Sequence, residues 1–153
     1  MICRRRFSFM ILRKAAILLI FISTTLFSGC GDHFATDKIP FAYVSEDINL
    51  TNVQYANLHN DGGWVYFDGS GYRGLIIYHV SGDDYRVFER ACPYDPRSDC
   101  DPVQVDDSGL FMIHKCCKST FYFDGQPYGG PAELPLRQYN TYVDGNFLLI
   151  RSD

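Results

Sequence analysis

Four cysteines and one histidine in the second half of the chain are the residues best suited to chemistry. They are Cys92, Cys100, His114, Cys116 and Cys117. Thiolates and imidazoles bind zinc, copper and iron–sulfur centres, and thiols can also pair as disulfides. Four cysteines allow three pairings, and spacing alone does not choose among them. A bond between the neighbours Cys116 and Cys117 would be strained, so it is the least favoured.

The first 30 residues indicate the compartment in which these thiols lie. A basic start precedes the apolar run 15–22, and small residues precede Cys30, which is typical of a secretory signal. The apolar run is shorter than the about 20 residues that a spanning helix needs. The sequence Leu26-Phe27-Ser28-Gly29-Cys30 resembles the lipobox of bacterial lipoproteins, although leucine is usual at the place of Phe27. An uncleaved N-terminal anchor is the alternative.

The lipobox resemblance implies a domain organisation. Residues 1–29 would be removed as a lipoprotein signal peptide, Cys30 would carry the lipid, and residues 30–47 would form a tether. The protein would then be held outside the cytoplasm on a bacterial membrane, on the periplasmic face or at the cell surface. Export favours disulfides among the remaining cysteines, because the extracytoplasmic environment is oxidising.

Charge excludes one class of partner. All 18 acidic residues but only nine of the 14 basic residues lie beyond Cys30, so the mature chain would carry a net charge of −9. This balance argues against nucleic-acid binding, which needs a basic surface. It also argues against electrostatic docking on anionic lipid, which leaves the lipid on Cys30 as the predicted membrane contact. The sequence does not reveal whether the chain has a protein partner.

The elements that must position the cysteines are predicted to be strands. Short runs rich in aromatic and β-branched residues alternate with Gly, Asp, Asn and Pro, and no long helical pattern follows residue 30. This is typical of an antiparallel sandwich or barrel. The predicted strands cover residues 64–67, 74–80, 85–90, 110–114, 120–123, 138–143 and 147–151.

The order of motifs along residues 48–151 resembles that of Rieske iron–sulfur domains. Cys92-Pro93 ends a strand, a cysteine cluster follows, and Ser119-Thr120-Phe121 precedes Gly130-Pro131-Ala132. In the Rieske family, the Gly-Pro segment forms a loop that covers the cluster.

This resemblance implies an all-β fold: a Rieske-like antiparallel β-sandwich over residues 48–153. It further implies a small inserted subdomain of the cluster-binding type at residues 91–131.

This chain has few of the ligand residues that the family has at the equivalent positions. A Rieske centre is a two-iron, two-sulfide cluster held by two cysteines and two histidines. The family supplies these ligands from Cys-x-His in one loop and Cys-x-x-His in another. The equivalent positions here are Cys92, Tyr94, His114 and Cys117, so one of the four keeps its residue type. Tyrosine substitutes poorly for imidazole, because a phenol is mostly protonated at neutral pH and is a harder ligand. Lys118 stands where the family has glycine.

The resemblance also implies a use for the cysteines. Some Rieske proteins tie the two ligand loops together with a disulfide, and Cys100 and Cys116 resemble that pair. Cys92 and Cys117 would then face each other and could bond in place of the metal. All four are therefore disulfide candidates, and no metal or cofactor is expected.

The predicted function is that of a binding or structural module stabilised by disulfides rather than an enzyme. The alternative is a metal centre held by Cys92, His114, Cys116 and Cys117 or a subset of them. It would be an atypical [2Fe–2S] cluster for electron transfer, or another metal such as zinc with a structural role. Thiol–disulfide chemistry at Cys116-Cys117 is a third hypothesis, disfavoured because the chain has no Cys-x-x-Cys motif.

Overall fold

The computed structural model describes residues 39–152. The predicted signal peptide at 1–29 and the predicted lipidation site Cys30 lie outside these residues. The described part forms ten strands in two antiparallel sheets, with one 3₁₀ helix at Val53–His59. The strands are β1 (Ser45–Asn49), β2 (Trp64–Phe67), β3 (Leu75–Ser81), β4 (Asp84–Glu89), β5 (Gln104–Val105), β6 (Met112–His114), β7 (Ser119–Phe121), β8 (Pro127–Gly129), β9 (Gln138–Asp144) and β10 (Phe147–Arg151). The all-β fold class is confirmed.

The larger sheet has the strand order β1-β10-β9-β4-β3-β2. Its hairpins turn at glycines, as the predicted Asp-Gly turn at Asp144-Gly145 illustrates between β9 and β10. Strand β9 joins the two parts of the sheet. It pairs with β10 through residues 140–144 and with β4 through Gln138 and Tyr139.

Strand β3 is apolar on both faces, and this determines how the domain is layered. Successive side chains of a strand point to opposite faces. Leu75 and Ile77 accordingly enter one core cluster, while Ile76 between them enters another, and all three are fully buried. The larger sheet therefore needs a covering layer on each face. Residues of β1, β10 and the 3₁₀ helix contribute to the first cluster.

The smaller sheet covers the other face. It has the order β5-β6-β7-β8 and is inserted in the chain between β4 and β9. Its inward side chains meet Ile76 and Phe88 in the second core cluster, which also contains Cys92, Val103, Val105, Met112, Phe121, Ala132 and Leu136. Trp64 and Tyr66 on β2 pack against this cluster, with their ring centroids 4.9 Å apart. The Val105 N–H donates to the Tyr66 hydroxyl at 2.9 Å, which links the two sheets directly.

Ordered structure precedes residue 48, the predicted start of the domain. Strand β1 begins at Ser45 and pairs with β10 along its whole length. Ile39 and Val44 are buried, and the Arg137 guanidinium donates to the Pro40 carbonyl at 2.8 Å. Within the predicted tether at residues 30–47, Ile39, Val44 and the first residues of β1 thus contact the domain. Between residues 39 and 152, no helix has the length and apolar character needed to cross a membrane.

Candidate metal centre

Two loops at the end of the smaller sheet bring three donor side chains together. Cys92 follows β4, while His114 and Cys117 lie at the tight turn between β6 and β7. The Cys117 Sγ lies 3.6 Å from the Cys92 Sγ and 3.0 Å from the His114 Nδ1. All three donor atoms lie within 4.8 Å of one another. Cys92 and His114 are 2 % and 1 % exposed, and Cys117 is partly buried.

The Cys92 thiol combines burial with hydrogen-bond donors suited to a thiolate. Burial raises the pKa of Cys92 to about 11, and the Cys117 thiol contributes to that rise. The backbone N–H groups of Tyr94 and Asp95 point at the sulfur and lower the same pKa. At neutral pH the thiol is therefore protonated, in surroundings that would stabilise the thiolate beside a cation.

The His114 imidazole is held in its neutral form. Burial lowers its pKa, and the positive charge of Arg73 lowers it further, while Asp95 and a hydrogen bond with the Asp101 backbone oppose the shift. A neutral imidazole has a free lone pair, which is the form that binds metals. The contact with Asp101 is the kind of outer partner that orients a metal-binding histidine.

Ser119 links this turn to the segment that passes beside it. Its buried hydroxyl oxygen lies 3.1 Å from the Cys117 Sγ and accepts the Ala132 N–H at 3.1 Å. Gly130 lies so close that an added Cβ would stand 2.5 Å from the Lys118 carbonyl oxygen. The Gly-Pro-Ala segment can approach the turn this closely only with glycine at position 130, whose φ is +85°.

Lys118 has a left-handed backbone conformation, with a φ of 62°, and is the one non-glycine residue of this kind between residues 39 and 152. We expect Lys118→Gly to raise the free energy of unfolding by about 1 kcal/mol, because a side chain in this region costs about that much. Urea denaturation measures the change. Lys115→Gly, three residues earlier at an ordinary φ, is the matched control and should give no gain. A less stable Lys118→Gly protein would contradict the prediction.

The predicted disulfide between Cys100 and Cys116 is present, with an S–S distance of 2.21 Å. Cys116 therefore leaves the set of alternative metal ligands. The second anticipated bond, between Cys92 and Cys117, is not formed, and both are free thiols. The Cys117 thiol is instead directed toward His114 and Ser119, which leaves its sulfur beyond bonding distance of Cys92.

Tyr94 takes a different place from the other predicted ligand equivalents. Its side chain is 52 % exposed, whereas Cys92, His114 and Cys117 converge in the interior. Its part in the site is the backbone N–H that faces the Cys92 sulfur. Three of the four predicted equivalents are thus brought together by their side chains.

Two arginines next to strands of the larger sheet, Arg73 shortly before β3 and Arg90 directly after β4, hold the loop that carries Cys100. The Arg73 guanidinium donates to the Ser98 carbonyl at 2.6 Å and also to the Cys100 carbonyl. Arg90 Nε donates to the Val103 carbonyl at 3.0 Å. Neither arginine was singled out from the sequence. The sequence Gly-Tyr-Arg-Gly before a predicted strand could have indicated Arg73, because it predicts that this arginine lies in a turn at the edge of the sheet.

The small sheet is inserted between β4 and β9, and the Cys92 loop meets the His114–Cys117 turn at its end. The predicted antiparallel all-β fold with a small inserted subdomain is thereby confirmed. No protein-family model and no curated protein sequence matches the chain. Among solved structures, it is similar to the cyanobacterial plasma membrane Rieske protein PetC3 from Synechocystis PCC 6803, at 20 % identity and a TM-score of 0.44 over 52 % of this chain and 77 % of that one. It is also similar to the ferredoxin of carbazole 1,9a-dioxygenase from Nocardioides aromaticivorans IC177, at 16 % identity and a TM-score of 0.44 over 75 % of this chain and 99 % of that one.

Proposed function

We propose that this chain is a Rieske-like domain displayed outside the cytoplasm by lipid on Cys30, which does not hold a two-iron cluster. It acts as a binding or structural module stabilised by its disulfide. The observation that carries the proposal is the donor group formed by Cys92, His114 and Cys117.

This donor group does not fit a Rieske cluster. Such a cluster takes four ligands, two on each of two irons, with both histidines on the same iron. Here one histidine and two cysteines converge on a single point, with every donor atom within 4.8 Å of the others. Among residues 39–152, no second histidine and no carboxylate joins them. The donors are therefore too few and too close together to divide between two irons.

The two loops are also held together without a metal. The Cys100–Cys116 disulfide joins the first loop to the turn between β6 and β7. Arg73 binds two carbonyl groups of the first loop, and Ser119 connects the turn to the Gly-Pro-Ala segment. These contacts supply the bridging that a cluster would otherwise provide, which supports a structural or binding role for this end of the domain.

Metal analysis of the purified chain tests the absence of the cluster. We expect much less than one iron per chain, no acid-labile sulfide and no visible absorption from a cluster. The matched control restores the ligand set of the family with Tyr94→His, His114→Cys, Cys117→His and Lys118→Gly in one variant. Iron in that variant would show that the fold accepts a cluster when the ligands are present. About two irons per native chain, with sulfide, would overturn the proposal.

Fractionation of bacterial cells tests the anchor. The native chain is expected in the membrane fraction, because two or three acyl chains on one residue give stable membrane attachment. The Cys30→Ala variant should no longer be labelled by radioactive palmitate. The control variant Cys3→Ala should still be labelled. Continued labelling of Cys30→Ala would contradict lipid attachment at this residue.

A further inference from the structure

The buried group of Cys92, His114 and Cys117 has the chemistry of a site for one soft or borderline metal ion. Two thiolates and one imidazole suit Zn²⁺, whereas carboxylate and carbonyl oxygens suit Mg²⁺ or Ca²⁺. Two ionised thiols would neutralise the charge of Zn²⁺, so the loaded site would place no net charge in the interior.

The separation of the two sulfurs matches a tetrahedral site, and the separation of sulfur and nitrogen is shorter than such a site requires. With zinc–sulfur bonds of about 2.3 Å and zinc–nitrogen bonds of about 2.0–2.1 Å, two sulfurs on one ion stand about 3.8 Å apart. On the same bond lengths, a sulfur and a nitrogen stand about 3.6 Å apart. The Cys92 and Cys117 sulfurs are 3.6 Å apart, and the Cys117 Sγ lies 3.0 Å from the His114 Nδ1. An ion would enter with a shift of the imidazole by a few tenths of an ångström.

Each of the three donors already has an outer partner. The backbone N–H groups of Tyr94 and Asp95 face the Cys92 sulfur, and the Asp101 backbone forms a hydrogen bond with His114. The Ser119 hydroxyl lies 3.1 Å from the Cys117 sulfur. A hydroxyl proton can rotate toward the thiolate while its oxygen still accepts the Ala132 N–H. Outer contacts of this kind orient ligands and strengthen metal binding.

We propose that Cys92, His114 and Cys117 bind a single Zn²⁺ ion and leave its fourth position to water or an exogenous ligand. The inference rests on the proposed absence of the two-iron cluster from the same residues. Binding forms two zinc–sulfur bonds and one zinc–nitrogen bond, and the two thiol protons pass to solvent. The fourth position is open because Cys116 is bonded to Cys100, and no other cysteine, histidine or carboxylate between residues 39 and 152 joins the group. Cys117 lies on the partly exposed side, where an ion can enter.

Zinc titration of the purified full chain tests this site. We expect one tightly bound Zn²⁺ per chain after dialysis, a rise in melting temperature on adding zinc, and the visible bands of tetrahedral cobalt–thiolate when Co²⁺ replaces it. Cys117→Ser, at a partly exposed position that leaves the disulfide intact, should lose the cobalt–thiolate bands and weaken zinc binding at least 100-fold. Ser119→Ala should weaken binding about 10- to 100-fold through the outer contact. Lys115→Ala is the matched control and should bind zinc like the native chain.

The outcomes separate the two proposals. If Cys117→Ser binds zinc as tightly as the native chain does, the zinc site is overturned. It is also overturned if Cys92 and Cys117 of the native chain are free thiols and the chain binds no zinc. A Cys92–Cys117 disulfide as the stable form of the isolated protein would also overturn the zinc site, while leaving the cluster-free module intact. Iron with acid-labile sulfide would overturn both. His114→Gln provides a second ligand variant if Cys117→Ser fails to fold.

Discussion

Replacing the disulfide by Cys100→Ser with Cys116→Ser is expected to lower the free energy of unfolding by about 3 kcal/mol. The bond joins residues 16 apart in sequence and thereby restricts the unfolded chain. Removing it restores that conformational freedom, and the cost for a loop of this length is about 3 kcal/mol. Urea denaturation of the native and double-variant proteins measures the difference.

Reduction of the native protein is the matching control for the disulfide variant. The native domain should lose a similar free energy of unfolding in the presence of a thiol reductant. The double variant should be insensitive to the same reductant, since Cys92 and Cys117, the other cysteines between residues 39 and 152, are already free thiols. Equal stability of the native protein with and without reductant would contradict a stabilising role for this bond.

Glu89→Ala is expected to lower the free energy of unfolding by about 4 kcal/mol, because it leaves several buried donors unpaired. The fully buried carboxylate accepts the backbone N–H groups of Tyr72 and Arg73 at 2.7 and 2.8 Å. It also accepts the Tyr139 hydroxyl at 2.8 Å and the Ala91 N–H at 3.3 Å. Burial, followed by the negative charge of Glu89, raises the pKa of Tyr139, which keeps its hydroxyl protonated as a donor.

Two further variants make the Glu89 prediction specific. Glu133→Ala removes an exposed glutamate from the same domain and should change the free energy of unfolding by no more than about 0.5 kcal/mol. Glu89→Gln keeps the shape of the side chain but replaces one acceptor oxygen with a donor. Its cost should therefore fall between those of the two alanine variants. A loss in Glu89→Ala no larger than that of Glu133→Ala would show that the carboxylate is not a major source of stability.

A series of contacts leads from the Glu89 carboxylate to the candidate metal centre. By fixing the backbone of Tyr72 and Arg73, the carboxylate orients the guanidinium that holds the Ser98 and Cys100 carbonyls. The loop of Cys100 is in turn bonded to Cys116, which is adjacent to Cys117. A loosened turn in Glu89→Ala would therefore be transmitted to the donor group through a continuous chain of contacts.

Five strands of the larger sheet show how far the sequence could predict the fold. Strands β2, β3, β4, β9 and β10 are rich in aromatic and β-branched residues, and Gly and Asp lie in the turns between them, so pattern and turn chemistry agree. Strand β1 was missed because its sequence, Ser-Glu-Asp-Ile-Asn, contains a single apolar residue. Strands β5 and β8 have two and three residues, too few for a periodic pattern to appear. Their pairing is imposed by tertiary contacts that a local pattern does not contain.

The candidate site was predictable in composition but not in geometry. Resemblance to a family identified Cys92, His114 and Cys117, yet their separations depend on how the turn between β6 and β7 directs each side chain. Residue types and spacing therefore do not distinguish a Cys92–Cys117 disulfide from two thiols whose sulfurs are 3.6 Å apart. Glu89 was missed, although a carboxylate directly after Val87 and Phe88 in the predicted strand 85–90 is a signal, since a buried carboxylate requires several donors.

The position of Trp64 allows its fluorescence to report on separation of the two sheets. It is the chain's only tryptophan, and it packs against the core cluster shared by the two sheets, beside the tyrosine whose hydroxyl binds Val105. Its fluorescence will therefore respond when the smaller sheet separates from the larger one. A shift of emission to longer wavelength, without loss of the far-ultraviolet circular dichroism of the larger sheet, would identify a partly opened state without any attached dye.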